Sequence, residues 1–182
     1  MIQQHFYQKF PLIDLNDIIL RELTDEDAED YFQYMSKPEM LPFLAQNNIP
    51  STVEYALDEV RYWSSLFHNK RSFYWAIALK DTNQLIGTVG FNTISQIHSR
   101  AEISYDLDFN YWGKGIMLKS IKAILKFADY AGVVRTQATV IIDNVRSINA
   151  LERCGFIKEG LLKKYEFVNM QHKDYFMYSR VL

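Results

Sequence analysis

The stretch that most constrains the fold runs from residue 101 to residue 132. It reads as an alternating strand, a turn with two glycines, and an amphipathic helix. In the helix, apolar residues recur at helical spacing between lysines, so one face is apolar and the other is solvated. The apolar face comprises Ile116, Ile121, Ile124, Leu125, Phe127 and Ala128. The stretch therefore predicts a strand-to-helix junction with glycines at its turn.

The turn itself, Gly113-Lys114-Gly115, is a candidate pyrophosphate site. The first backbone N–H groups of a helix lack intrahelical partners and carry partial positive charge. Glycines let the backbone approach a bulky anion closely, and Lys114 adds charge. A Walker loop would need Ser or Thr after Gly-Lys, and a Rossmann fingerprint would need a third glycine where Leu118 stands. Both of those alternatives fail.

Length and composition predict one globular domain over residues 1–182. The chain is 48% hydrophobic and 23% charged, and its aromatic content of 15% suits a protein that lines an open cleft. No apolar run approaches the ~20 residues of a membrane span, and no signal peptide is visible. A net charge of −2 gives no case for a nucleic-acid partner. The lone Cys154 fits a reducing compartment, so the expected location is the cytoplasm.

Hydrophobic periodicity and cap signals predict an alternation of helices and strands. Thr24 with Asp27 indicates one helix start, and Ser51 with Glu54 predicts a capping box at the next. The predicted helices cover residues 24–35, 51–67, 116–130 and 145–153. The predicted strands cover residues 17–21, 73–79, 84–93, 100–107, 135–142, 156–165 and 173–181.

The turn sequence Tyr-Trp-Gly-Lys-Gly, residues 111–115, resembles the acetyl-CoA loop of the GNAT N-acetyltransferases, in particular their RimJ/RimL branch. Trp112 holds the Arg/Gln position of the family motif, as is common in that branch, and Met117 holds a position where a small residue is usual. The resemblance implies that Trp112, Gly113, Lys114, Gly115 and Met117 contact acetyl-CoA.

A second segment, residues 144–156, resembles the N-x-x-S-x7-G-F segment of the same branch. In the family, the Asn grips the pantetheine arm and the Ser lies near the sulfur as an acid. These roles carry over to Asn144 and Ser147. Asn144 is also a good helix N-cap and Ser is common in a first helical turn, so a purely structural role stays open for both.

On the strand before the turn, Glu102 is the candidate base and the backbone N–H groups near Tyr105 and Leu107 are candidates to polarise the acetyl carbonyl. A carboxylate on a central strand beside the cofactor could take the proton of an amine. A salt bridge or an exposed strand face is the alternative for Glu102. Three tyrosines on the last strands are other candidates to line the acceptor groove or supply a proton, or else pack the sheet: Tyr165, Tyr175 and Tyr178.

The fold class that we predict is α/β (α+β): a GNAT fold with a mixed, mostly antiparallel sheet, helices on both faces, and the order β-α-α-β-β-β-α-β-α-β-β. The resemblance implies transfer of an acetyl group from acetyl-CoA to a protein N-terminal α-amine in a ternary complex, without a metal. The alternatives are a small-molecule amine as acceptor, or acyl-CoA binding without turnover. No membrane partner is expected, and a homodimer is compatible with the sequence. Three residues depart from the pattern of the branch: Ser104, Asp106 and Met170.

Overall fold

A computed structural model describes residues 4–45 and 48–182, with only the backbone of residues 4 and 5. Within these residues, four α-helices and eight strands are arranged in the predicted order, with one short strand added at the front. The helices are α1 (Ala28–Met35), α2 (Val53–His68), α3 (Ile116–Tyr130) and α4 (Val145–Arg153). The strands are β1 (Ile13–Asp14), β2 (Ile18–Glu22), β3 (Tyr74–Leu79), β4 (Leu85–Ser95), β5 (Arg100–Leu107), β6 (Arg135–Ile141), β7 (Ile157–Val168) and β8 (Gln171–Val181).

All strands belong to one sheet with the order β1-β2-β3-β4-β5-β6-β8-β7. Every neighbouring pair is antiparallel except β5 and β6, which are parallel and joined through the crossover helix α3. The predicted mixed, mostly antiparallel sheet of a GNAT fold is therefore confirmed. A parallel pair needs such a crossover, which explains why the amphipathic helix stands between these two strands.

The helices cover both faces of the sheet because successive strand residues point to opposite sides. On one face, α3 packs its apolar stripe on a core that includes the fully buried Trp75, Ile121 and Ile124. On the other face, α1 and α2 cover a second core that includes Tyr34 and Val60. None of the described helices is long and apolar enough to cross a lipid bilayer.

Local capping explains the helix starts, with one correction. Thr24 is an N-cap as predicted, and it forms a capping box with Asp27, although it opens a short 3-10 turn directly before α1. The predicted capping box of Ser51 with Glu54 is wrong by one residue. The N-cap of α2 is Thr52, whose hydroxyl accepts a hydrogen bond from the Tyr55 N–H at 3.3 Å. Both residues are good N-caps, and spacing alone did not distinguish them.

The feature that positions the site is a gap between β5 and β6. Their pairing extends only from Arg100–Arg135 to Glu102–Gln137, whereas β5 continues to Leu107 and β6 to Ile141. Beyond Glu102 the two strands diverge, and β5 keeps its pairing with β4 alone. One edge of β5 is thereby left without a strand partner.

Candidate active site

A cavity of about 390 Å³ lies at the open end of this gap. The end of β5, the glycine turn and the first turns of α3 and α4 supply most of its lining, and the segment between α1 and α2 adds Met40, Phe43 and Leu44. The structure thus brings together segments that are far apart in the chain. All the predicted cofactor-binding residues except Lys114 line this cavity: Tyr105, Leu107, Trp112, Gly113, Gly115, Met117, Asn144 and Ser147.

The glycine turn presents bare backbone to the cavity. Gly113 and Gly115 have φ angles of 74° and 75°, a left-handed conformation that favours glycine. A Cβ atom added to either residue would meet nothing within 4 Å, so the space beside the turn is open. Gly115 is the N-cap of α3, whose first N–H groups have no intrahelical partners. This turn can therefore bind an anion through its backbone.

The free edge of β5 offers a second set of backbone groups. The Asp108 N–H donates to the Ile86 carbonyl of β4 at 2.8 Å, whereas the Leu107 carbonyl accepts a 2.7 Å hydrogen bond from Trp112 Nε1. Backbone groups of successive strand residues point to opposite edges. The N–H groups of Leu107 and Tyr105 therefore face the gap, where an extended ligand could pair with them.

A serine hydroxyl of α4 is hydrogen-bonded to a tyrosine hydroxyl of β5. Asn144 is its N-cap, and the Asn144 Oδ1 accepts a hydrogen bond from the Ser147 N–H at 3.1 Å. The Ser147 Oγ lies 2.7 Å from the Tyr105 hydroxyl of β5. Burial raises the pKa of Tyr105 well above its ordinary value, so its hydroxyl stays protonated at neutral pH. The pair can pass a proton toward the cavity.

Sequence reasoning missed three polar residues of α4 that line the cavity: Arg146, Asn149 and Arg153. The Arg146 guanidinium lies 4.8 Å from the centroid of the Trp112 ring, which orients it beside the glycine turn. Asn149 and Arg153 stand three and seven residues after Arg146, so the three residues share one helix face. That spacing was the signal that could have found them.

Two predicted site residues lie outside the cavity lining. The Lys114 Nζ is 4.9 Å from the centroid of the Tyr111 ring. Glu102 lies where β5 and β6 are still paired, and its Oε2 accepts a 3.0 Å hydrogen bond from Gln137 Nε2. Burial raises the pKa of Tyr165 of β7, and the negative charge of Glu102 adds to that rise.

Asp106, which the sequence marked only as a departure from the family pattern, does line the cavity. Its carboxylate accepts hydrogen bonds from the Tyr34 hydroxyl at 2.5 Å, from the Thr88 N–H at 3.1 Å and from the Thr88 Oγ1 at 2.7 Å. Burial raises the pKa of Asp106 to about 6, although these hydrogen bonds act in the opposite direction. Within the described residues, no group of three or more His, Cys, Asp or Glu side chains could hold a metal ion.

Comparison with known proteins identifies the family. Residues 17–157 match the family described as Acetyltransferase (GNAT) domain. An uncharacterised N-acetyltransferase of Bacillus subtilis, YoaA, is 35% identical over 173 residues, which cover 94% of this chain and 97% of that protein. The ribosomal-protein-serine acetyltransferase of Escherichia coli is 35% identical over 101 residues, which cover 55% of this chain and 56% of that protein.

A solved structure shares the architecture. The microcin C7 self-immunity acetyltransferase MccE, crystallised with acetyl-CoA and AMP, superposes with a TM-score of 0.83. It is 26% identical, and the match covers 92% of this chain and 93% of that one.

Proposed function

The chain belongs to the GNAT acetyltransferase family, and we propose that it moves the acetyl group of acetyl-CoA to a primary amine by direct transfer in a ternary complex. The acceptor that we propose first is the α-amine of a protein N-terminus. The observation that carries the proposal is the gap between β5 and β6, which opens beside a glycine turn at a helix N-terminus. A long, polar thioester with a diphosphate at one end fits this combination.

The residues that line the cavity fit acetyl-CoA in their chemistry. The backbone of Gly113 and Gly115 would hold the diphosphate, because the turn presents N–H groups and open space to the cavity. The unpaired edge of β5 would hold the pantetheine amides, and the Leu107 and Tyr105 N–H groups face that side. Asn144 would contribute its side-chain amide, whose Oδ1 already caps α4.

Positive charge beside the turn supports the same assignment. Arg146 and Arg153 line the cavity with exposed side chains, and Lys114 lies in the turn itself. Phosphate groups are recognised well by guanidinium groups, which can bind them through two parallel hydrogen bonds. These cations would add to the partial positive charge of the α3 N-terminus.

Acetyl-CoA supplies an acetyl group on a thiol leaving group, and Ser147 is the residue that we assign to the thiolate. Its hydroxyl would donate a proton there, and Tyr105 at 2.7 Å would replace that proton. The raised pKa of Tyr105 keeps the supplying group protonated at neutral pH. A protonated pair is what a leaving thiolate requires.

The base that the sequence puts forward is the Glu102 carboxylate, which would act through water. A strong base is not required for an α-amine. Its pKa of ~7.7–8.0, against ~10.4 for lysine, leaves part of it neutral at cellular pH. This weaker demand supports an α-amine acceptor.

The relatives support two acceptor classes. The Escherichia coli relative is named for acetylation of a ribosomal-protein serine, which supports a protein N-terminus. The microcin C7 self-immunity acetyltransferase was crystallised with AMP as well as acetyl-CoA, and we keep a small-molecule amine as the second candidate. A protein that binds acetyl-CoA without turnover is the non-enzymatic alternative.

Calorimetric titration with acetyl-CoA, followed by transfer assays, tests this function. We expect the unaltered protein to bind acetyl-CoA and Gly115→Glu to lose binding, because the new carboxylate would occupy the anion site. Gly132→Glu is the matched control: Gly132 follows α3 with a φ of 87° and has equally open space around it. Binding that survives Gly115→Glu would contradict the site. Binding without acetyl transfer to Ser- or Ala-initiated peptides or to small amines would favour the non-catalytic alternative.

A further inference from the structure

A polar row on the sheet face beneath α1 and α2 is not explained by cofactor binding. Three side chains of this face form a chain of hydrogen bonds: the Tyr74 hydroxyl lies 2.8 Å from Ser104 Oγ, which donates to Asn92 Oδ1 at 2.5 Å. Asp106 stands two residues beyond Ser104 on the same face of β5. These polar side chains lie along the sheet toward the cavity, and Asp106 is one of the residues that line it.

The Asp106 carboxylate lacks a positive partner among the described residues. Its hydrogen-bond donors, the Tyr34 hydroxyl and the Thr88 N–H and hydroxyl, are all neutral. Nearby, the Lys37 ammonium lies 2.6 Å from a different carboxylate, that of Asp108. A carboxylate can accept about four hydrogen bonds, so one lone pair on Asp106 Oδ2 is left for a ligand.

The groups that face Asp106 make the site attractive to a cation. Burial raises the pKa of Tyr31, Tyr34 and Tyr74, and the negative charge of Asp106 adds to each rise. Glu59 of α2 acts in the same direction on Tyr31 and Tyr74. A second carboxyl group on this side of the sheet adds to the attraction of Asp106 for a cation.

The position of Asp106 relative to the Tyr105–Ser147 pair matters as much as its charge. Successive strand residues point to opposite faces, so Asp106 reaches the cavity from the side of α1 and α2, whereas Tyr105 reaches it from the side of α4. The amine adds to the acetyl carbon from above or below the plane of the carbonyl group, whereas the sulfur lies in that plane, so the two need separate groups to serve them. Glu102 is four residues away along β5, roughly 13 Å at strand spacing.

We propose that Asp106 binds the ammonium group of the acceptor amine and takes its first proton. This inference rests on the proposed acetyl transfer. The proton moves from the R–NH3⁺ group to the Asp106 carboxylate and then to solvent. The neutral amine forms the C–N bond as the C–S bond breaks, and the electron pair of that bond leaves on sulfur. The second amine proton passes from nitrogen to solvent water. The sulfur gains one proton from the Ser147–Tyr105 pair, and solvent returns a proton to that pair, so one proton is released overall.

A pKa near 6 suits this role, because the group is ionised at neutral pH and yet can hold a proton transiently. The rate should therefore rise with pH as Asp106 ionises. Tyr34→Phe removes one donor to the carboxylate, so it should move the midpoint of this rise to higher pH. If Asp106 had only a structural role, Tyr34→Phe would leave the midpoint of the pH–rate profile unchanged.

Binding is tested first, on the protein saturated with CoA, with a serine-initiated pentapeptide, its N-acetylated form, and n-butylamine as probes. We expect the free-amine peptide to bind at least about tenfold more tightly than the acetylated one, the size of one charge-assisted hydrogen bond. Asp106→Asn should abolish this preference. Asp58→Asn, an equal charge change at an exposed position of α2, should retain it. No preference in the unaltered protein, or a preference that survives Asp106→Asn, would overturn the proposal.

Catalysis is tested next, as kcat/KM between pH 5 and 9 for Asp106→Asn, Tyr34→Phe and Glu102→Gln. Asp106→Asn should lower kcat/KM by about 10²-fold and remove the rise through pH 6. If Glu102→Gln removes that rise and Asp106→Asn does not, Glu102 is the base and the proposal is wrong. Titration of each variant with acetyl-CoA separates two outcomes. If Asp106→Asn binds acetyl-CoA normally but loses the preference for the free amine, the effect is specific to the role of Asp106. If the unaltered protein does not bind acetyl-CoA, the proposed function itself is wrong.

Discussion

The Tyr105 hydroxyl lies 2.7 Å from the Ser147 Oγ and thereby joins the free edge of β5 to the first turn of α4. The two residues belong to segments that meet only because β5 and β6 diverge beyond Glu102. A protonated pair at this position links the candidate cofactor site to the chemistry of the leaving group.

If this pair supplies the proton, Ser147→Ala should lower kcat by about 10²-fold and leave the acetyl-CoA affinity nearly unchanged, because only the leaving thiolate needs the hydroxyl. Tyr105→Phe should cause part of the same loss. Steady-state kinetics with a saturating acceptor gives kcat directly. Ser65→Ala, which removes an exposed hydroxyl of α2, is the control. Unchanged kcat in both site variants would assign Ser147 a structural role only.

Asn144 has two roles that a single pair of variants can separate. Asn144→Ala removes the cap of α4 and should lower the free energy of unfolding by about 1 kcal/mol. Asn144→Asp keeps the capping oxygen and hence the stability, but it replaces the amide donor by a negative charge. We expect its acetyl-CoA affinity to fall about tenfold, since a hydrogen bond is lost. Urea denaturation and calorimetry measure the two quantities. Wild-type affinity in Asn144→Asp would make Asn144 a cap alone.

Asp106 makes the stability of the fold depend on pH. Its folded pKa of about 6 lies above the ordinary value of 3.8, so the folded state favours the protonated form. The stability that protonated Asp106 contributes to the folded state is fully present below the unfolded pKa and is lost as the pH rises through about 6. Asp106→Asn cannot ionise, so it should gain stability relative to the unaltered protein between pH 4 and 7, by at most about 3 kcal/mol. A difference in unfolding free energy that is constant with pH would contradict the shift.

Glu159 should make the stability of the fold depend on pH in the opposite direction. The Arg135 guanidinium binds both carboxylate oxygens, at 2.8 and 2.6 Å, and the Ser179 hydroxyl adds a third donor, which together lower the pKa of Glu159 to about 2. Stability from a lowered pKa is present above the unfolded value of ~4.3 and is lost as the pH falls through about 2. Because the pair is exposed, Glu159→Gln should cost under ~1 kcal/mol at neutral pH. The cost should shrink in 1 M salt and in acid; a cost that is unchanged in both would rule out the ion pair as its source.

The sequence predicted the elements well where their signals are local. The apolar stripe of α3 and the left-handed glycines that precede it needed no information from the rest of the chain. The position of the second cap was less certain: Ser51 and Thr52 are both good N-caps, and the fold selected Thr52. Boundaries depend on the energies of a few hydrogen bonds, and these differ little between neighbouring residues.

The candidate site could be predicted in part, through two segments whose residue spacing matches a family pattern. Arg146 and Arg153 were missed because exposed arginines are common on helices, and only the cavity shows which helix face matters. The sequence marked Asp106 as an unusual residue but did not indicate a role for it in the site. Its neighbours Tyr34 and Thr88 are distant in the chain, and burial determines its pKa.

By itself the sequence determined the order of the elements, the glycine turn at the start of α3, and the Asn-x-x-Ser segment that caps α4, because each depends on neighbours within a few residues. The tertiary structure alone decided where β5 and β6 separate and which acidic residue lines the cavity. These depend on pairing and burial between segments that are distant in sequence. The free energy of such contacts is set by what surrounds each group in the folded protein, and no local pattern records it.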